Sequence, residues 1–179
     1  MDPRILTFLL AMLPISEVRG ALPFSMIFFK LNDLEAIFWS ILGNISIVPL
    51  IFIFLNFLKS NVFQKISWLK FLSNLFFEKI QKNYGSKTFK NLLGLTLFVG
   101  IPLPLTGAWS GAIISFLLQI PFQLAFLAIS LGVVLSSILV FFITKTGILL
   151  EKNFGIMAVL LFFLLISLIL IFSKKKNET

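Results

Sequence analysis

Five long apolar stretches, Ile5–Phe29, Leu34–Leu58, Gly94–Leu118, Phe122–Thr144 and Phe154–Phe172, leave this chain few ways to fold. A helix needs ~20 apolar residues to cross ~30 Å of hydrocarbon, and all but the last have length to spare. Only 12% of residues are charged and the mean hydropathy is +1.07, so a soluble domain of this length would leave its apolar surface in water. The sequence predicts an all-α integral membrane protein. The start, Met-Asp-Pro-Arg, lacks the basic lead and small-residue cleavage site of a signal peptide, so the first apolar run is expected to stay.

Two of the stretches are interrupted from within. Pro14 and Pro23 bracket Glu17, Arg19 and Gly20, while Gly100, Pro102, Pro104, Gly107 and Gly111 break the third. Proline removes an amide donor and clashes with the preceding turn, so neither stretch reads as one smooth helix. A break at membrane depth is tolerated only where it is buried in protein or lines a cavity.

The basic residues say which way the breaks turn. Lys59, Lys65, Lys70, Lys79, Lys82, Lys87 and Lys90 fill one linker, and Lys174, Lys175 and Lys176 crowd the tail. If every stretch crossed, these clusters would lie on opposite faces. If Gly94–Leu118 is a re-entrant hairpin, both are cytoplasmic, as the positive-inside rule favours. The net charge of +8 then marks membrane topology and anionic headgroups, and no nucleic-acid partner is expected. Residues 59–93 read as a basic linker whose Val62, Ile66, Leu69, Phe76 and Ile80 share one arc of an interfacial amphipathic helix, with Tyr84-Gly85-Ser86 as its stop. A short packed loop helix is the alternative.

A weak internal repeat follows from the small residues. Arg19-Gly20-Ala21 follows one break and Gly43-Asn44 lies in the next span; Ser110-Gly111-Ala112 follows the other, with Gly132 in its next span. The expected plan is an inverted repeat of two re-entrant hairpins, each followed by a transmembrane helix. Its parts are residues 1–58, the linker 59–93, residues 94–152, and a final helix with a basic tail over 153–179.

Glu17 and Arg19 are the only ionisable residues deep inside a predicted membrane segment. A charge at the bilayer centre costs ~3 kcal/mol on insertion scales, so such residues face a cavity or a partner. Arg19 offers a permanently charged fork for phosphate or carboxylate, and Glu17, partly desolvated, is suited to proton exchange. The structural alternative is a mutual ion pair, or Arg19 holding carbonyls that Pro23 leaves unpaired. In the second break Thr106 and Ser110 offer hydroxyls, while Gly107 and Gly111 permit close backbone approach or form a G-x-x-x-G packing face. Asn44 is a further pocket candidate. Histidine and cysteine are absent, which removes disulfides, thiol chemistry and imidazole acid–base work. No metal or cofactor is expected, and an intramembrane enzyme is the least expected class.

Glu17-Val18-Arg19-Gly20-Ala21-Leu22-Pro23 resembles the Glu-x-Arg-Gly-Ala-x-Pro motif of the small multidrug export protein family. Pro102-Leu103-Pro104 with Thr106-Gly107-Ala108-Trp109 resembles its second motif, with Leu105 where the family usually carries glycine. The resemblance implies kinship with the broader DedA-like group, which has inverted re-entrant hairpins and members implicated in moving lipid carriers. The substrate-binding set expected is Glu17, Arg19, Gly20, Asn44, Pro104, Thr106, Gly107, Trp109, Ser110 and Gly111. The expected function is transport of an anionic lipidic substrate such as a polyprenyl phosphate, coupled to protons. Efflux of cationic or amphiphilic compounds and a non-transporting scaffold are the alternatives. Membrane lipids are the expected partners, and a homo-oligomer is compatible with the sequence.

Overall fold

The computed structural model describes residues 1–58, 88–103 and 106–154. Its described elements are helices: α1 (Pro3–Met12), α2 (Glu17–Ile27), α3 (Asp33–Leu58), α4 (Thr88–Gly100), α5 (Ala108–Leu117) and α6 (Phe122–Phe154). Met1–Val140 forms one compact unit and Phe141–Thr179 a second. In the second, the Lys145 ammonium lies 5.9 Å from the centre of the Phe141 ring. The amphipathic linker helix, its stop signal and the final apolar stretch fall outside the described residues.

Both proline-rich stretches are broken, as their sequences demand. Asp2 caps α1 by accepting from the Arg4 amide at 2.8 Å, and Pro3 fills the first turn, where no donor is needed. The helix stops at Leu13, extended ahead of Pro14. α4 likewise ends at Gly100, and α5 begins only at Ala108. At 1.5 Å per residue α1 and α2 are ~15–17 Å long, about half the hydrocarbon thickness. By contrast, Asp33–Leu58 and Phe122–Asn153 are long and apolar enough to cross a membrane. Two bounds differ from the hydropathy reading. α4 begins at Thr88, before the apolar run at Gly94, and α6 continues past Thr144 through Lys145, Glu151 and Lys152. Hydropathy locates the apolar part of a helix, and polar turns extend it beyond.

Contacts fix the directions of the helices. Arg4 pairs with Glu35 at 2.5 Å, joining the first turns of α1 and α3, and further along Gly43 packs on the Phe8 carbonyl and Ala11. α1 and α3 therefore run the same way, with α2 packed on both. The second set of three repeats this: Thr96 Oγ1 donates to the Ala128 carbonyl at 3.1 Å, Gly132 faces Val99 and the Thr96 carbonyl, and Gly100 faces Leu135. α4 and α6 run parallel. The Phe52 ring lies 5.2 Å from Phe122, so the far part of α3 meets the first turn of α6.

Burial carries the same register. Glu17, Val18, Ala21, Leu22 and Ser25 are buried on α2; Gly107, Ala108, Gly111, Ala112 and Ser115, ninety residues further along, are buried in the second half. On α3 Ala36, Ser40, Gly43, Asn44, Ile47, Val48 and Ile51 are buried, and eighty-nine residues later so are Ala125, Ile129, Gly132, Val133, Ser136, Ser137 and Val140. Phe52 and Ala128 are buried without a buried counterpart. Lys30 and Gln119, also eighty-nine apart, both adopt left-handed backbone, with φ of 53° and 54°. This register sets Arg19 opposite Trp109, one residue away from the alignment that the Gly20 and Gly111 match suggests.

Small side chains let these helices approach closely, which replaces the hydrophobic drive that lipid does not supply. A Cβ at Gly132 would sit 2.7 Å from Val99 Cβ and 2.8 Å from the Thr96 carbonyl, and one at Gly43 would strike the Phe8 carbonyl. Gly43→Ala and Gly132→Ala are each expected to destabilise the fold by ~1–3 kcal/mol. Gly94→Ala, where beyond its own helix no described residue lies within 4 Å of the added Cβ, is expected to be neutral or to stabilise by up to ~1 kcal/mol. Unfolding titrations in mixed micelles check the contrast.

Candidate functional site

The two breaks meet. Glu17 begins α2 in left-handed backbone, φ 46°, a strained conformation for a long side chain. Its carboxylate lies against Gly107, so closely that a Cβ there would overlap the carboxylate atoms. Gly107 caps α5 without a side chain of its own. Glu17 takes over that work from the other half of the chain, accepting from the Trp109 amide at 3.3 Å. A carboxylate suits the spot, since the first amides of a helix are unpaired and its N-terminal end is partially positive.

Arg19 completes the exchange. Its Nη1 donates to the Leu103 carbonyl, and its Nη2 donates to Thr106 Oγ1 at 3.1 Å. The guanidinium thus serves a carbonyl and a hydroxyl of the second break and not the carbonyls freed by Pro23. In return Trp109 Nε1 donates to the Met12 carbonyl at 2.9 Å, at the start of the first break. Arg19 and Trp109, ninety residues apart in the shared burial register, each supply a donor to the other break. The Arg19–Glu17 separation is 3.8 Å, well beyond the ~2.7–2.9 Å of a charge-assisted hydrogen bond. Their side chains are 18% and 7% exposed, so the charges are held in a restricted space without closing on each other.

A cleft of about 620 Å³ opens at this junction, lined by Pro14, Ile15, Glu17, Arg19, Pro102, Trp109, Ser110 and Ile113. Of the residues singled out in the sequence, Glu17, Arg19, Thr106, Gly107, Trp109 and Ser110 come together here. Gly20 instead packs on its own preceding turn, where a Cβ would lie 2.6 Å from Ser16 Oγ. Gly111 is buried against Val99. Asn44 is 1% exposed on α3, and its Oδ1 has no partner among the described residues. Pro104 lies outside the described residues. Sequence reasoning missed the Leu103 and Met12 carbonyls, since backbone acceptors leave no residue-type signal. It also missed the apolar rim, where Ile15 is 99% exposed; an isoleucine inside a polar break was the available clue.

Among the described residues, two membrane-length helices, two broken segments and a charged cleft where the breaks meet mark a helical membrane protein. Residues 17–139 match the family described as "Putative small multi-drug export protein", and the chain belongs to that family. No curated protein and no solved structure matches the chain.

Proposed function

We propose that this chain is a membrane transporter for an amphiphile with an anionic group, of which a polyprenyl phosphate is one example, with Glu17 carrying or gating a proton. The observation that carries the reading is the cleft itself. It joins one guanidinium and one carboxylate to an apolar rim at the meeting of two helix breaks. Irregular backbone that lines a cavity at membrane depth is a recurring site of transport. Efflux of cationic amphiphiles is the second reading, favoured by the family description and by Glu17 in the cleft. Uptake into vesicles separates the two. Transport of an anionic lipid that Arg19→Gln abolishes and Glu17→Gln leaves pH-insensitive supports the first; transport of organic cations that survives Arg19→Gln supports the second.

The accompanying architecture is an inverted repeat of two re-entrant hairpins, with the basic linker and tail on the cytoplasmic side. The parallel runs of α1 with α3 and of α4 with α6, the contact of the far part of α3 with the start of α6, and the shared burial register support it. This cysteine-free chain suits single-cysteine labelling in sealed cells. Cysteines at Asp2 and Asn32 are expected to label from one face and a cysteine at Gln123 from the other. Labelling of positions 2 and 32 from opposite faces would show that the first segment crosses fully and does not return.

A further inference from the structure

The cleft carries two charges, and neither is saturated. Among the described residues Glu17 accepts one hydrogen bond, at 3.3 Å, although a carboxylate has about four acceptor sites. Among the same residues Arg19 makes one bond from each Nη, and its Nε has no partner. A pair whose whole purpose was to hold the fold would close to hydrogen-bond distance; this one stands 3.8 Å apart. Each ion retains capacity for a third group.

Charge balance restricts what that group is. Glu17 and Arg19 are the only charged residues lining the cleft among the described residues, so its net charge is zero. While Glu17 is ionised, a cargo bearing a single charge, of either sign, would leave one charge uncompensated in a restricted space. A dipolar head group adds no net charge and meets each ion with its opposite. Trp109, which lines the same cleft, adds an aromatic face of the kind that attracts ammonium groups. The Ser110 hydroxyl adds an acceptor there. Pro14, Ile15, Pro102 and Ile113 give the rim its apolar surface, matched to hydrocarbon chains.

We infer that the cleft binds a zwitterionic amphiphile, with a phosphodiester on Arg19 and a primary ammonium held by Glu17 beside Trp109. The inference rests on the reading of the cleft as the cargo site and makes the anionic group one half of a dipolar head.

The test uses the full chain in detergent, with Trp39 and Trp68 replaced by Phe so that Trp109 reports binding. Three probes of equal chain length are titrated: a short-chain phosphatidylethanolamine, the matching phosphatidylglycerol and an alkylammonium. The phosphatidylethanolamine is expected to bind about tenfold tighter than either singly charged probe, a preference that Glu17→Gln and Arg19→Gln each erase. Tightest binding of phosphatidylglycerol, dependent on Arg19 alone, would overturn the dipolar assignment and leave the anionic reading standing. Tightest binding of the alkylammonium, dependent on Glu17 alone, would overturn both. So would equal binding of all three. The ranking by the unsubstituted pair decides the matter even if a charge variant fails to fold.

Discussion

Arg19→Ala is expected to destabilise the folded chain by ~3–5 kcal/mol, the range for removing one partner of a buried ion pair. The loss has two sources. The Glu17 carboxylate is stranded at 7% exposure, and the Leu103 carbonyl loses its donor. Adding Glu17→Gln removes the stranded charge and should restore part of the stability, because amide and carboxylate share a shape. Unfolding titrations of both single variants and the double variant give the coupling directly. Transport per folded molecule must be measured on the same samples. A double variant that is nearly as stable as the parent but transports nothing places the pair in the transport step. Recovery of both together would make the pair a staple of the fold, as the bonds from Arg19 to the second break also allow.

Gly107→Ala is the second large effect. The added Cβ takes the position of the Glu17 carboxylate, which must leave and take with it the cap on α5. Overpacking and loss of a cap together are expected to cost ~2–4 kcal/mol. Transport should fall to background even in detergent-stable protein, because the carboxylate no longer faces Arg19. Gly107→Ala made in a Glu17→Ala background should cost far less, since the overlap is gone. A full, additive loss in that background would show that the clash lies with another neighbour.

Some of this site was legible in the sequence, and the division has a physical cause. Glu17 and Arg19 stand out because an ion in an apolar run needs compensation, and Pro14 and Pro102 mark breaks because proline lacks an amide hydrogen. Their partners were not legible. Glu17 caps a helix that starts ninety-one residues later, and no local pattern encodes such a cap. Arg19 and Trp109 meet carbonyls, which every residue possesses. The proposed repeat leaves a trace in the glycines, but its register leaves none. Between α2 and α5, Ser25 and Ser115 are the identical pair among the buried positions, while Glu17 aligns with Gly107 and Leu22 with Ala112. Matching burial needs only similar space, and a two-glycine alignment slips by one residue against it. The helix ends were hidden for another reason: Thr88 and Lys152 are polar, and a helix that leaves hydrocarbon has no need to stop there.

Glu17 and Gly107 occupy matching places in the proposed halves, and they touch. Had two identical copies associated face to face, this position would have met itself. Glutamate on both sides would put two carboxylates into one volume, while glycine on both would leave the junction uncharged. Neither gives an acid beside a guanidinium. A single chain that carries both halves is free to differ between them, with the acid on one side and glycine on the other, and so holds one ionisable group at the junction. In the proposed repeat this contact is therefore where the two halves are least interchangeable.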